Sequence, residues 1–137
     1  MSARNIPASL RQQVIDRANG RCEYCRLPDD VAFYSPEIDH VIARKHGGQT
    51  TPDNLARICW RCNHHKGTDI ATFDPQTNEL TRLFNPRTDD WYKHFRLSNS
   101  ELISDTPVGR ATIFLLKLNR PDRVAERALL IEAGVYL

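Results

Sequence analysis

Two Cys-x-x-Cys pairs, Cys22/Cys25 and Cys59/Cys62, bracket the dipeptide Asp39-His40, and the second pair runs into Asn63-His64-His65-Lys66. Four thiolates suit a tetrahedral Zn²⁺ with no open position, so the cysteines read as a structural site. A carboxylate at Asp39 suits a hard cation such as Mg²⁺ or Mn²⁺, and an amide oxygen at Asn63 is a compatible second ligand. Neutral His40 has the pKa to take a proton from water near pH 7. Its ring needs an acceptor at the other nitrogen, which the carbonyl of Asn54 can offer. Together these residues form a kit for metal-assisted hydrolysis.

Each residue alone has a plainer reading. A histidine beside a zinc knuckle is often structural, Asn54 suits a local cap, and Asn63 can cap the helix that follows. The ordered set favours chemistry. The charge pattern points to the substrate class. From Val41 to Lys66 the cations Arg44, Lys45, Arg57, Arg61 and Lys66 face the single acid Asp53. Local positive charge beside a metal site suits a phosphate-bearing substrate, although a solvated surface explains the same charges. Lys66 and Arg61 are candidate phosphate contacts. His46, in the glycine loop, either meets substrate or holds the turn.

The elements that must position these groups are short. Leu10, Val14, Ile15 and Ala18 recur at helical spacing after Pro7, with Gly20 as the stop. This predicts an N-terminal helix packed as a lid on the first knuckle. Strands are expected at Val31–Tyr34 and Glu37–Ile42, with a glycine turn at Arg44–Gly48. Thr51-Pro52 predicts a short helix containing Asn54, Leu55 and Ala56. The expected order is knuckle, two strands, helix, knuckle, helix.

Further along, Thr72-Phe73 and Leu80–Phe84 are expected to pair around a turn. The cluster Trp91, Tyr92 and Phe95 reads as core rather than as a base-stacking surface. Helices are predicted from Thr106-Pro107 to about Leu118 and from Asp122 onward, the last with Val124, Ala128 and Ile131 on one face. No repeat or linker separates a second domain.

The bulk numbers are those of an ordinary globular chain. At 137 residues, 40% hydrophobic and 26% charged, it fits one domain and can gain from a metal staple. No apolar run approaches a membrane span and the N-terminus lacks the apolar core of a signal peptide, so a cytoplasmic protein is expected. In that compartment the cysteines are expected to hold zinc rather than disulfides.

The run from Glu37 through Asp39-His40 to Asn54-Leu55-Ala56, followed by Cys59–Gly67, resembles the HNH endonucleases, in a zinc-stapled four-cysteine form. That resemblance implies an α+β fold with a ββα-metal core over residues 20–70. An N-terminal helix and C-terminal strands and helices would flank it, and residues 71–137 would pack on the core within one domain, 1–137. It implies His40 as general base, Asn54 orienting it, and Asp39 and Asn63 holding one divalent metal. Many members have His where this chain has Asn63, so the pattern is an HNN variant leaning toward Mg²⁺ or Mn²⁺. The implied activity is phosphodiester hydrolysis of DNA, with RNA left open, by a monomer or weak dimer. The alternative is a zinc-dependent nucleic-acid-binding module that does not cut. A structural zinc protein for protein partners is a further rival.

Overall fold

In a computed structural model, residues 6–137 are described. The chain separates into two compact units, Met1–Ile70 and Ala71–Leu137.

The first unit is built on a strand pair with a helix on each face. Helix α1 (Ala8–Arg17) starts after Pro7 and ends where Asn19 and Gly20 take left-handed backbone angles. Its Val14 joins Ile6, Ile38 and Leu55 in one buried cluster, with Leu10 packed at its edge. Strand β1 (Glu37–His40) pairs antiparallel with β2 (Leu55–Ile58), setting His40 opposite Leu55 and Asp39 opposite Ala56. Helix α2 (Trp60–Lys66) follows, opened by Cys59, whose sulfur accepts from the Cys62 amide. This is a ββα core.

Two expectations within this unit are corrected. Val31–Tyr34 is not a strand, and β1 pairs instead with Leu55–Ile58. The reason is burial: β2 hides Leu55, Ala56 and Ile58, whereas Phe33 and Tyr34 stand exposed with no core to enter. Asp29–Val31 closes instead as a 3₁₀ turn behind Pro28. Likewise Thr51 does not cap a helix. Pro52–Asn54 makes one 3₁₀ turn, and the Thr51 hydroxyl binds Asp53. The order is therefore knuckle, strand, loop, strand, knuckle, helix.

The loop between the strands is held by one side chain. Asn54 Oδ1 accepts from the Ile42 amide at 2.9 Å, while its Nδ2 donates to the carbonyls of Ile42 (3.0 Å) and Gln49 (2.8 Å). Gly48 lies so close beneath that an added Cβ would collide with the Ile42 carbonyl and crowd Asn54 Nδ2.

The second unit begins with hairpin β3 (Ala71–Phe73) and β4 (Leu80–Arg82), paired as expected. Helix α3 (Trp91–His94) and hairpin β5 (Arg96–Ser98)–β6 (Glu101–Ile103) follow, then α4 (Pro107–Leu115) and α5 (Pro121–Glu132). Trp91, Phe95 and Phe84 are buried against one another, as expected of core, and Tyr92 is exposed. Thr106 caps α4 as predicted, its hydroxyl accepting from the Gly109 amide. Helix α5 differs. Its fully buried positions are Arg123 and Arg127, not the predicted apolar stripe. Arg123 donates to the Leu116 carbonyl and Arg127 to those of Leu118 and Ser100, so guanidinium groups satisfy the carbonyls left after α4. Asp122 does not cap this helix; Arg120 precedes it and Pro121 takes its first turn.

Candidate active site

The four cysteine sulfurs lie within 4.8 Å of one another, all buried. A tetrahedron with metal–sulfur bonds of about 2.3 Å has edges of about 3.8 Å, and Cys25 Sγ stands 3.7 Å from Cys59 Sγ. In each knuckle the second cysteine's amide points at the first one's sulfur at 3.5 Å, the arrangement that supports a bound thiolate. Burial pushes the Cys22 and Cys62 thiols well up, so an anionic sulfur there needs a cation beside it. The cluster fits one closed tetrahedral metal. The first knuckle is tied to β2 from both sides. Glu23 donates its amide to the Arg57 carbonyl and accepts the Arg57 amide on Oε2, each at 2.8 Å.

That tie fixes β1 and β2 over a cleft of about 260 Å³, lined by Glu37, Ile38, Asp39, His40, Ala43, Asn63, Gly67 and Thr68. Alternation along β1 sends Glu37 and Asp39 toward α2 and Ile38 into the cluster with Val14 of α1, while His40, the last residue of the strand, lines the same cleft as Asp39. On the α2 side, Asn63 Nδ2 donates to Glu37 Oε1 at 2.6 Å, which leaves the Asn63 oxygen as its remaining acceptor. Asp39 is buried. Its Oδ2 accepts from the Tyr24 hydroxyl at 2.9 Å, and Lys66 Nζ reaches its two oxygens at 3.0 and 3.2 Å. Lys66 is itself fully buried and extends to the His40 carbonyl at 3.4 Å.

These neighbours set the charges. Burial holds the Asp39 carboxyl above its ordinary value, and the Lys66 ammonium and the Tyr24 hydroxyl offset only part of that rise. Burial and the Asp39 charge push the Tyr24 phenol well up, keeping it a donor. His40 Nε2 pairs with Thr50 Oγ1 at 2.9 Å. Burial first, then the charges of Arg44 and Lys66, lower His40, so the ring is neutral near pH 7.

The structure therefore gathers Asp39, His40 and Asn63 around one cleft and sets Asn54 apart. The Asn54 side chain clamps the Ile42–Gln49 loop, and it is Thr50 from that loop that meets the His40 ring. Lys66 is buried on Asp39 rather than displayed at the surface. Arg61 lies half-buried on α2, and His46 stands exposed in the 3₁₀ turn Arg44–His46. His64 points away from the cleft and stacks on Trp60.

Three residues of the site escaped the sequence reading. Glu37 was accessible through period-two alternation, since it shares the face of Asp39. Tyr24 and Thr50 carried no local signal, because their roles arise from loops folding back.

A carboxylate offers about four lone-pair positions, of which Tyr24 and Lys66 take three. With Asn63 and Glu37 lining the same cleft, hard oxygen donors of the kind a divalent cation takes are present there. Comparison with known proteins agrees with this geometry. Residues 22–69 match the HNH endonuclease family. The chain is 41% identical over 70 residues to a CRISPR-associated endonuclease Cas9 of Corynebacterium diphtheriae, covering 50% of this chain and 6% of that protein. It is 27% identical over 128 residues to the Septu protein PtuB of Bacillus thuringiensis, covering 89% of this chain and 46% of that protein. The chain thus spans less than half the length of either relative. Among the described residues no helix is long and apolar enough to cross a membrane. Four clustered cysteines, a ββα core and an Asp-His dipeptide at its cleft accompany the match of residues 22–69 to the HNH endonuclease family.

Proposed function

We propose that the chain is a metal-dependent endonuclease that hydrolyses phosphodiester bonds of DNA, with Zn²⁺ in the four-cysteine site. The observation that carries this reading is a buried histidine sharing one cleft with a carboxylate and an asparagine amide, its pKa lowered by that burial. His40 is the general base. In the tautomer that donates from Nε2 to Thr50 Oγ1, Nδ1 is the nitrogen that takes the proton from the attacking water. Thr50 orients the ring, and Asn54 acts one step removed by fixing the loop that carries Thr50.

Asp39 and Asn63 would hold Mg²⁺ or Mn²⁺, with Glu37 setting the Asn63 amide so that its oxygen faces the cleft. Such a cation, when bound, supplies charge neutralisation at the phosphate and stabilises the leaving oxygen. Tyr24 and Lys66 position Asp39.

The test is nicking of supercoiled plasmid by zinc-loaded protein with added Mg²⁺ or Mn²⁺. His40→Ala should lose about 10²–10⁴-fold in rate while keeping its zinc content and its circular dichroism. Undiminished cleavage by purified His40→Ala ends the assignment. A second reading, a binding module that does not cut, draws on the Lys66 ammonium that already neutralises Asp39. Retention of DNA with no cleavage in either metal would favour it.

A further inference from the structure

Beside the cleft runs a line of rings to which the proposed hydrolysis gives no task. Phe33 and Tyr34 meet edge to face at 4.8 Å, Tyr34 lies 4.9 Å from Trp60, and Trp60 stacks on His64 at 5.6 Å with planes 15° apart. Phe33, Tyr34 and Trp60 are 89%, 51% and 44% exposed. A contiguous exposed aromatic patch on a folded domain marks a contact surface rather than idle core. Its place in the fold names the occupant. Trp60 stands one helical turn before Asn63, so the rings begin where the cleft ends. Helix α2, which carries Trp60 and His64, contains Arg61 and His65 and no acid, its Lys66 being buried against Asp39. Ring faces that continue from the segment before β1 onto an acid-free helix suit a polyanion with free bases.

We propose that Phe33, Tyr34, Trp60 and His64 form a stacking platform for unpaired nucleotides of the substrate, which would select single-stranded or locally opened nucleic acid at the cleft. This rests on the nuclease reading above for its cleft, and on the rings alone for its binding. Duplex bases are already stacked on one another, so the rings can serve only strands whose bases are free. Paired DNA would be held by its phosphates and would not depend on the platform.

The experiment uses the full, zinc-loaded chain without added Mg²⁺ or Mn²⁺, and fluorescein-labelled dT10 against a ten-base-pair duplex, followed by anisotropy. Trp60→Ala and Tyr34→Ala should each weaken dT10 binding by about tenfold or more, leave duplex binding within about twofold, and keep zinc content and circular dichroism. Trp60→Phe should restore most of the dT10 affinity, because a ring face suffices. Unchanged dT10 binding in both alanine variants overturns the platform and leaves the face to some other partner. Equal loss for strand and duplex overturns it as well, since that is the mark of a phosphate contact or a damaged fold. The nuclease reading fails separately. His40→Ala should keep full dT10 affinity, and if it also kept full cleavage, the base assignment would fall while the Trp60 effect stood.

Discussion

Removing the Lys66 ammonium probes the most unusual feature of the cleft, a fully buried cation–carboxylate pair one residue from the proposed base. Lys66 Nζ lies 3.0 Å from Asp39 Oδ2, and the two side chains are 1% and 5% exposed. At an effective dielectric of about 20, charges at that separation attract by about 5.5 kcal/mol. Desolvation of the two ions costs several kcal/mol each, so the intact pair adds little net stability. Breaking it is another matter. Lys66→Met leaves Asp39 buried with only the Tyr24 hydroxyl, and Asp39→Asn leaves a buried ammonium, each costing about 3–5 kcal/mol. If the pair acts as a unit, the double variant should cost far less than the sum, giving a coupling of about 3 kcal/mol or more. Hydrogen exchange of the β1 and β2 amides in zinc-loaded protein reads the first unit alone. A cost below about 1 kcal/mol for Lys66→Met, or additive single changes, would refute the claim that this pair organises the cleft.

Two further predictions follow from the same kind of argument. Structural zinc in small domains binds with about 10–16 kcal/mol of free energy that is also folding energy, so Cys59→Ser or a strong chelator should unfold Met1–Ile70. Unchanged circular dichroism in a verified metal-free sample would contradict this. In the second unit, the Arg110 guanidinium donates to both oxygens of Asp74 and holds its carboxyl down at about 2, against an ordinary value of 3.8. A depressed carboxylate contributes stability above its unfolded pKa and loses it as the pH falls through the folded one. Acid unfolding of Ala71–Leu137 should therefore take up a proton between about pH 3.8 and pH 2, and Asp74→Asn should lose that pH dependence. An unaltered acid profile in the variant would exclude the pair as its source.

Much of the candidate site was legible along the chain because its signals are local. Cys-x-x-Cys spacing specifies a knuckle before anything folds, and Asp39 and His40 are neighbours in the chain. Asn63 directly after the last cysteine must lie in the first turns of the helix that the knuckle begins. A strand was expected at Val31–Tyr34 and a helix at Leu55-Ala56, and the availability of a core reversed both: Leu55–Ile58 is the buried strand and Phe33-Tyr34 stays exposed. Helix α5 was misread for the opposite reason. Arginine reads as surface in a sequence, and here Arg123 and Arg127 are drawn inward by carbonyls that another helix leaves unpaired.

The sequence by itself determined the inventory: four thiolates for a closed metal, an Asp-His pair, two asparagines and a basic window around them. Tertiary structure decided the assignments. Lys66, a surface phosphate contact by its neighbours in sequence, is the buried counter-ion of Asp39. Asn54, an expected partner of the histidine ring, holds the loop that brings Thr50 to that ring instead. The Lys66–Asp39, Asn54–Ile42 and Thr50–His40 contacts span 27, 12 and 10 residues of chain, and such distances close only when knuckle, hairpin and helix are packed together. Periodicity and spacing report what a residue's own element will do with it. They carry no information about which group from another element will arrive at hydrogen-bonding distance.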